Sequence, residues 1–268
     1  MDNANRFALM IEALTELAQE EQALSTSAAP QTPPMADLPT LNSVLADISP
    51  LPHEALFLGM ADDGLPVLLN LSDPVPGPIL IAGGSGSGKT KFLQTIARAA
   101  DMLHTPEQVQ YGVITSRPNE WKSIPASRNN AGIYDVQGEN IIELLQSLVV
   151  WAHRNKGGDQ SVLLLIDDLE AITNLDESSQ QNLRWLLLRG SSRRVWLFIT
   201  LNSSTAHNLT AWLEFFHTRL FGHVKDAEAA YLLTGNRSHT LDHLTAGIQF
   251  AMREERHLLS FWLPAIGQ

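Results

Sequence analysis

The first regular pattern of apolar and polar positions lies near the N-terminus and has the period of a helix. Within residues 5–23, apolar side chains recur at helical spacing, at Phe7, Met10, Ile11, Leu14 and Leu17. The acidic residues Glu12, Glu16, Glu20 and Glu21 lie mostly elsewhere on the helical wheel. The segment 1–24 is therefore predicted to form an amphipathic helix. We expect this helix either to pack back on the same chain or to dock on a neighbouring subunit or partner protein.

The segment that follows, residues 25–41, is rich in Pro, Ser, Ala and Thr. Such a composition buries too little apolar surface to offset the entropy of ordering the chain. It predicts a flexible linker between the helix and a domain that spans residues 42–268.

In the domain, apolar runs of strand length alternate with segments of helical period. The run ALFLGMADDGLPVLLNL predicts a small β-hairpin, because two apolar runs flank an acidic turn that ends in Gly. Beyond it, the strands PILIA, VQYGVIT, VLLLIDD and VWLFIT are separated by helices predicted at about 89–103, 138–154 and 177–189. A further helix near 226–234 and two closing strands complete the pattern, which predicts an α/β fold with a mainly parallel sheet covered by helices on both faces.

The formal net charge of −11 is unevenly distributed along the chain. Of 18 basic and 29 acidic residues, only Arg6 and eleven acidic residues precede Lys89, which leaves 17 basic and 18 acidic residues in the remainder. The domain is thus close to neutral, and a local basic groove for nucleic acid is compatible with it. With no cysteine, no signal pattern and no membrane-spanning run, the chain is expected to be soluble and cytoplasmic.

The stretch GGSGSGKT follows an apolar strand and opens a helix, which is the context of a phosphate-binding loop. Its backbone N–H groups and the helix N-terminus are suited to the phosphates of ATP, Lys89 to the terminal phosphates and the Thr90 hydroxyl to Mg²⁺. The predicted nucleotide-binding residues are Gly83, Gly84, Ser85, Gly86, Ser87, Gly88, Lys89 and Thr90.

Two further strand ends supply candidate catalytic groups. VLLLIDD places Asp167 at the end of a strand as a second Mg²⁺ ligand, and Asp168 where a water-activating carboxylate is expected. VWLFITLN offers Thr200 and Asn202 as sensors of the γ-phosphate, although such residues also simply end strands.

The segment RGSSRRVW carries Arg189, Arg193 and Arg194 just before the last of these strands. Exposed arginines are usually solvated, but in a ring ATPase such a loop faces the nucleotide of the neighbouring subunit. These residues are therefore candidates for an arginine that acts in trans.

In motif order over about residues 55–263, the chain resembles the FtsK/SpoIIIE and HerA ring translocases, which include the EccC motors of type VII secretion. The matching segments are LFLGMADDGLPVLLNL with GPILIAGGSGSGKT, TPEQVQYGVITSRPNEWKSIP, VLLLIDDLEAI, RGSSRRVWLFIT, FFHTRLFGHVKDAEAAYLLTG and AGIQFAM. The resemblance implies a RecA-like P-loop NTPase domain in a hexameric ring with ATP between subunits. It also makes Arg219 a candidate for action in trans.

Three positions depart from the pattern of that family. Asp168 stands where Glu is usual, Leu201 stands where Gln follows the sensor Thr, and Thr115-Ser116-Arg117 replaces Asp-Pro-Lys. A carboxylate that is one methylene shorter would be displaced by about 1 Å, which can cost on the order of a hundredfold in rate. Slow ATP hydrolysis, or a nucleotide switch without a motor, is therefore an alternative to an active motor.

The leading hypothesis is an ATPase motor that translocates double-stranded DNA, with Arg117, Lys122 and Arg128 as candidates for a substrate loop. Phosphate contacts from such a loop would make DNA binding dependent on salt. One alternative is an ATP-gated assembly or adaptor protein that hydrolyses ATP poorly, and another is an EccC-like motor with a protein substrate.

Overall fold

Ten strands form one sheet in the part of the chain that the computed structural model describes, residues 38–122, 124, 127–138, 140–254 and 257–267. The strands are β1 Ala55–Ala61, β2 Pro66–Asn70, β3 Ile79–Gly83, β4 Val109–Thr115, β5 Asn130–Asp135, β6 Ser161–Asp167, β7 Val195–Asn202, β8 Thr218–Phe221, β9 Gln249–Glu254 and β10 His257–Trp262. The predicted N-terminal helix lies outside the described residues.

Seven α-helices connect or flank these strands within the described residues. They are α1 Leu41–Asp47, α2 Lys89–Leu103, α3 Asn140–Arg154, α4 Leu169–Thr173, α5 Glu177–Arg189, α6 Thr210–Leu213 and α7 Ala227–Thr234. None of these helices is long and apolar enough to cross a membrane.

The strand order is β2-β1-β10-β9-β8-β3-β7-β6-β4-β5, and the sheet has two halves of different direction. From β8 to β5 all neighbouring strands are parallel, whereas from β8 to β2 all are antiparallel. Parallel strands end at the same edge, so the segments that follow β3, β4, β6 and β7 meet at the carboxyl edge of the sheet.

Helices cover both faces of the sheet, and the central strand β3 shows why. Its side chains alternate: Leu80 and Ala82 belong to the core on the face of α3 and α5, while Ile79 and Ile81 belong to the core on the face of α2. Every residue of β3, β6 and β1 is buried, which agrees with the largely apolar runs from which these strands were predicted. The predicted α/β class and mainly parallel sheet are confirmed.

Three details differ from the sequence-based expectations. The predicted hairpin, β1 and β2, is joined to the main sheet through β10, so it extends the sheet instead of forming a separate element. Strand β5 was not predicted, because its residues NAGIYD include Asn and Gly and form no apolar run. It lies at the edge of the sheet, where alternate positions are exposed. Helix α1 was not predicted either, and its apolar residues pack under β1.

Candidate nucleotide-binding site

The segment between β3 and α2 forms a tight loop at the carboxyl edge of the sheet. Its shape depends on glycine: Gly86 and Gly88 have φ of 75° and 92°, a region that side chains rarely adopt. A Cβ atom on Gly83 would lie 2.5 Å from Ser87 Oγ, so the loop closes on its own buried serine. The loop borders a cavity of about 380 Å³ whose remaining walls come from the ends of β4, β6 and β7.

Lys89, the first residue of α2, is held against this loop. Its Nζ donates to the carbonyl oxygens of Gly83 at 3.0 Å and Gly84 at 2.8 Å. Burial lowers the pKa of Lys89 to about 8, although the Asp167 and Asp168 carboxylates oppose that shift. The ammonium group thus lies in the cavity, at the position where the sequence predicted a phosphate-binding cation.

The Asp167 carboxylate, at the end of β6, is buried and surrounded by hydroxyl groups. It accepts hydrogen bonds from Thr90 Oγ1 at 3.1 Å, from Thr200 Oγ1 at 3.1 Å and from Thr115 Oγ1 at 3.4 Å. The contact with Thr90 joins residues that are 77 positions apart and brings together the two predicted Mg²⁺ ligands.

These two oxygen ligands fit Mg²⁺. The ion prefers oxygen donors and usually takes one or two protein ligands together with waters and substrate phosphates. Asp167 and Thr90 would supply the protein ligands, and both border the cavity beside Lys89. When bound, Mg²⁺ would neutralise charge on the phosphates of a nucleotide.

Asp168 lies beside Asp167 but has a second task. Its carboxylate accepts a hydrogen bond from the N–H of Glu170 at 3.0 Å and so caps the short helix α4. Its backbone has φ of 100°, an unfavourable value for a residue other than glycine. Burial raises the pKa of the Asp168 carboxyl, which still borders the cavity.

The predicted sensor residues also border the cavity. Thr200 Oγ1 donates to Asp167 and accepts the N–H of Asp168 at 2.7 Å, so it fixes the two acidic residues relative to each other. Asn202 ends β7 and its side chain accepts from Ser204 N at 3.4 Å. Leu201, between them, points into the core on the other face.

The three basic residues predicted for a substrate loop are in different environments. The Arg117 guanidinium lies in the cavity, with Nη2 at 3.4 Å from both Thr90 Oγ1 and Asp167 Oδ2. Lys122 and Arg128 are exposed and do not border the cavity. By these contacts Arg117 belongs to the candidate nucleotide-binding site. Its position in the sequence did not indicate this.

The arginines before β7 lie at the amino edge of the sheet, opposite the loop. The eight residues of β7 span roughly 25 Å at about 3.3 Å per residue, so these arginines cannot reach the cavity of their own chain. Arg194 forms an ion pair with Glu54 at 2.8 Å and is mostly buried. No hydrogen bond or ion pair of the Arg189 or Arg193 side chain is found among the described residues, and Arg189 is exposed.

Arg219 on β8 is occupied by contacts within the chain. Its guanidinium donates to the carbonyl oxygens of Phe216, Leu213 and Leu233 at 2.8–3.0 Å. Because Leu213 ends α6 and Leu233 lies in the last turn of α7, Arg219 satisfies carbonyls that helix ends leave unpaired. These contacts have a structural role within the chain, and action of Arg219 in trans stays a prediction from the resemblance.

A segment distant in the sequence braces the nucleotide loop from outside. Gly247 N donates to Ser87 O at 3.1 Å, and its carbonyl accepts from Lys91 Nζ at 3.2 Å. A Cβ atom on Gly88 would lie 2.7 Å from Gly247 Cα, so the absence of a side chain at Gly88 permits this approach. Sequence patterns gave no sign of this contact.

A glycine loop between a central parallel strand and a helix, facing an acidic strand end, defines a P-loop NTPase with a RecA-like fold. A family model described as NACHT domain matches residues 77–236, more than half of the chain. The chain therefore belongs to the NACHT domain family. No curated protein matches the sequence.

Several solved structures share the fold at low identity. They include the cytoplasmic domain of the type VII secretion ATPase EccC of Thermomonospora curvata (TM-score 0.66, 17% identity, 88% of this chain and 28% of that one). EssC, ATPases 2 and 3, of Geobacillus thermodenitrificans gives TM-score 0.67 at 13% identity over 87% of this chain and 48% of that one. The pCW3 conjugation coupling protein TcpA with ATPγS gives TM-score 0.61 at 15% identity over 88% and 71%.

The chain thus spans less than half of the EccC and EssC chains. At these identities the likeness establishes the fold, which agrees with the RecA-like architecture expected from the resemblance. Membership of the FtsK/HerA family stays a prediction.

Proposed function

We propose that this chain is an ATP-binding subunit of an oligomeric ATPase motor of the FtsK/HerA type that acts on double-stranded DNA. The observation that carries the nucleotide function is the convergence of Lys89, Thr90 and Asp167 on one cavity beside the glycine loop. This is the set of groups needed to hold ATP together with Mg²⁺. The structure of TcpA with ATPγS, a protein of the same fold, supports ATP as the nucleotide.

The proposal of a ring, with six subunits by analogy to the FtsK/HerA family, is supported by Arg189 and Arg193. They lie at the edge opposite the nucleotide loop, without an ion-pair partner among the described residues. An arginine in that position can stabilise transition-state charge only at the nucleotide of another subunit.

The substrate proposal is supported by the exposure of Lys122 and Arg128 beyond β4. Two exposed basic side chains on one segment suit phosphate contacts, which fix a protein on DNA without reading its sequence. TcpA is described as a conjugation coupling protein, which agrees with this class of motor. EccC and EssC are described as cytoplasmic domains, and we place this chain in the cytoplasm as well.

A DNA-stimulated ATPase assay tests the proposal, with Lys89→Ala as the inactive control. We expect Mg²⁺-dependent hydrolysis that rises when double-stranded DNA is added and falls again as salt is raised. If the wild-type chain hydrolyses no more ATP than Lys89→Ala with any DNA, the motor proposal is wrong.

A second function, an ATP-gated assembly or adaptor protein with weak hydrolysis, is favoured by Asp168. Its carboxylate already caps α4, so less of it is available to activate water. Particle size measured with ATP alone and with ATP plus DNA separates the two functions. A ring that forms with ATP alone and turns over slowly favours the switch, whereas a ring that needs both favours the motor.

A third function, an EccC-like motor with a protein substrate, is favoured by one structure of the same fold. EccC (ATPases 2 and 3) of Thermomonospora curvata is described in complex with a signal sequence peptide. Here the predicted N-terminal helix would be the docking segment for a protein partner. Gel shifts with double-stranded DNA over a salt series test it, since no shift even at low salt would favour a protein substrate.

A further inference from the structure

Arg117 is placed in the cavity by the end of β4. Its N–H donates to Thr115 Oγ1 at 3.0 Å, which turns the chain back toward the carboxyl edge of the sheet. From there Nη1 forms an ion pair with Glu120 Oε1 at 2.9 Å. Nη2 lies at 3.4 Å from both Thr90 Oγ1 and Asp167 Oδ2, the two groups that fit Mg²⁺.

The charges around Asp167 give this contact its meaning. The Asp167 carboxylate is 3% exposed, and its other hydrogen-bond partners in the described residues are neutral hydroxyls. Among those residues, Arg117 is the cation within ion-pair distance of the Asp167 carboxylate. Lys89 donates its hydrogen bonds to the carbonyl oxygens of its own loop. A buried carboxylate without a cation nearby would repel the phosphates of a nucleotide.

The Arg117 side chain is also free enough to follow a ligand. It is 54% exposed, and its partner Glu120 is 43% exposed, so their ion pair is held only weakly. A guanidinium matches the oxygens of a phosphate group with two parallel N–H donors and stays charged throughout the ordinary pH range.

We propose that Arg117 is a phosphate-binding residue, supplied by the same chain, that takes over part of the charge neutralisation otherwise provided by Mg²⁺. The inference rests on the proposed nucleotide-binding function. Its consequence is that nucleotide binding depends less on Mg²⁺ than it would if the side chain at position 117 were neutral.

The test measures the affinity of the full chain for a fluorescent ATP analogue by anisotropy, once in excess Mg²⁺ and once in EDTA. We expect Arg117→Ala to weaken binding in EDTA by roughly ten- to a hundredfold, the range for hydrogen bonds to charged groups. In Mg²⁺ we expect a change below about threefold, because the metal then supplies the positive charge. Arg117→Lys keeps a charge but not the paired donors, so its affinity in EDTA should lie between those of the wild-type chain and Arg117→Ala.

Arg154→Ala is the matched control, because it removes a guanidinium from an exposed position outside the cavity. It should leave both affinities unchanged. The thermal unfolding midpoint of each variant checks that the fold persists.

Two results would overturn the inference while leaving nucleotide binding intact. One is an equal loss for Arg117→Ala in Mg²⁺ and in EDTA, and the other is tighter binding in Mg²⁺ with no change in EDTA, which would make Arg117 a competitor of the metal. Failure of the wild-type chain to bind the analogue in Mg²⁺ would instead overturn the proposed function, and this inference with it.

Discussion

The two halves of the cavity differ in how complete they are. The half that would hold phosphates and metal has its glycine loop, Lys89, Thr90 and Asp167 in mutual contact or facing one cavity. In the half that would activate water, Asp168 caps a helix, and Asn202 accepts a hydrogen bond from the turn that it begins. We therefore expect that substitutions can change nucleotide binding and ATP hydrolysis separately.

The largest effect on ATPase activity is expected from arginines of another subunit that would complete the water-activating half of the cavity. Arg189→Ala and Arg193→Ala should lower ATPase activity, by about a thousandfold for the arginine that acts in trans, while nucleotide affinity is unchanged. Mixing that variant with Lys89→Ala should restore activity, because one subunit then supplies the cavity and the other the arginine.

The matched control for this experiment is Arg184→Ala, on the same helix. Its guanidinium stacks on Trp212 at 4.9 Å and should not affect turnover. If the mixture of variants is as inactive as its components, action in trans is contradicted.

The next effect concerns the reach of the Asp168 carboxylate. Asp168→Glu should raise turnover by up to about a hundredfold, because the longer side chain recovers about 1 Å toward the cavity. Single-turnover hydrolysis of bound ATP measures this directly, with nucleotide affinity determined in parallel. An unchanged rate would count against the view that the short carboxylate limits hydrolysis.

A smaller effect, on nucleotide affinity, is expected from pH, and it concerns the phosphate-binding half of the cavity. Lys89 must be protonated to pair with phosphate, and burial lowers its pKa to about 8. As pH rises from 7 through 8 to 9.5, the charged form is lost, and affinity should fall by at most about tenfold per unit. Lys89→Arg should flatten this dependence, since arginine stays charged; a flat profile for the wild-type chain would contradict the lowered pKa.

The smallest effect is expected in stability. Asp168→Asn keeps an acceptor for the helix cap and tolerates a positive φ better than most residues, so the free energy of unfolding should change by less than about 1 kcal/mol. Chemical denaturation measures this, and a loss above about 2 kcal/mol would mean that the charge itself supports the fold. The same variant should retain nucleotide binding.

The sequence predicted those parts of the molecule that depend on local pattern. The apolar strands, the helix that begins at Lys89 and the carboxyl-edge meeting of Thr90 and Asp167 follow from periodicity and from the geometry of parallel strands. The fates of the arginines could not be predicted, because Arg194 pairs with Glu54, 140 positions away, and Arg117 reaches back 27 positions to Thr90. Such contacts depend on side-chain directions in the finished fold.

Because Gly247 supports the nucleotide loop, the loop would not keep its structure if it were moved alone into another protein. Ser87 and Lys91 have their partners on Gly247, beyond the end of the NACHT match at residue 236. A transplant of residues 79–103 into another scaffold would leave those partners behind, and the loop would lose the support that holds its backbone. Grafting this site would require the closing segment before β9 to be moved along with it.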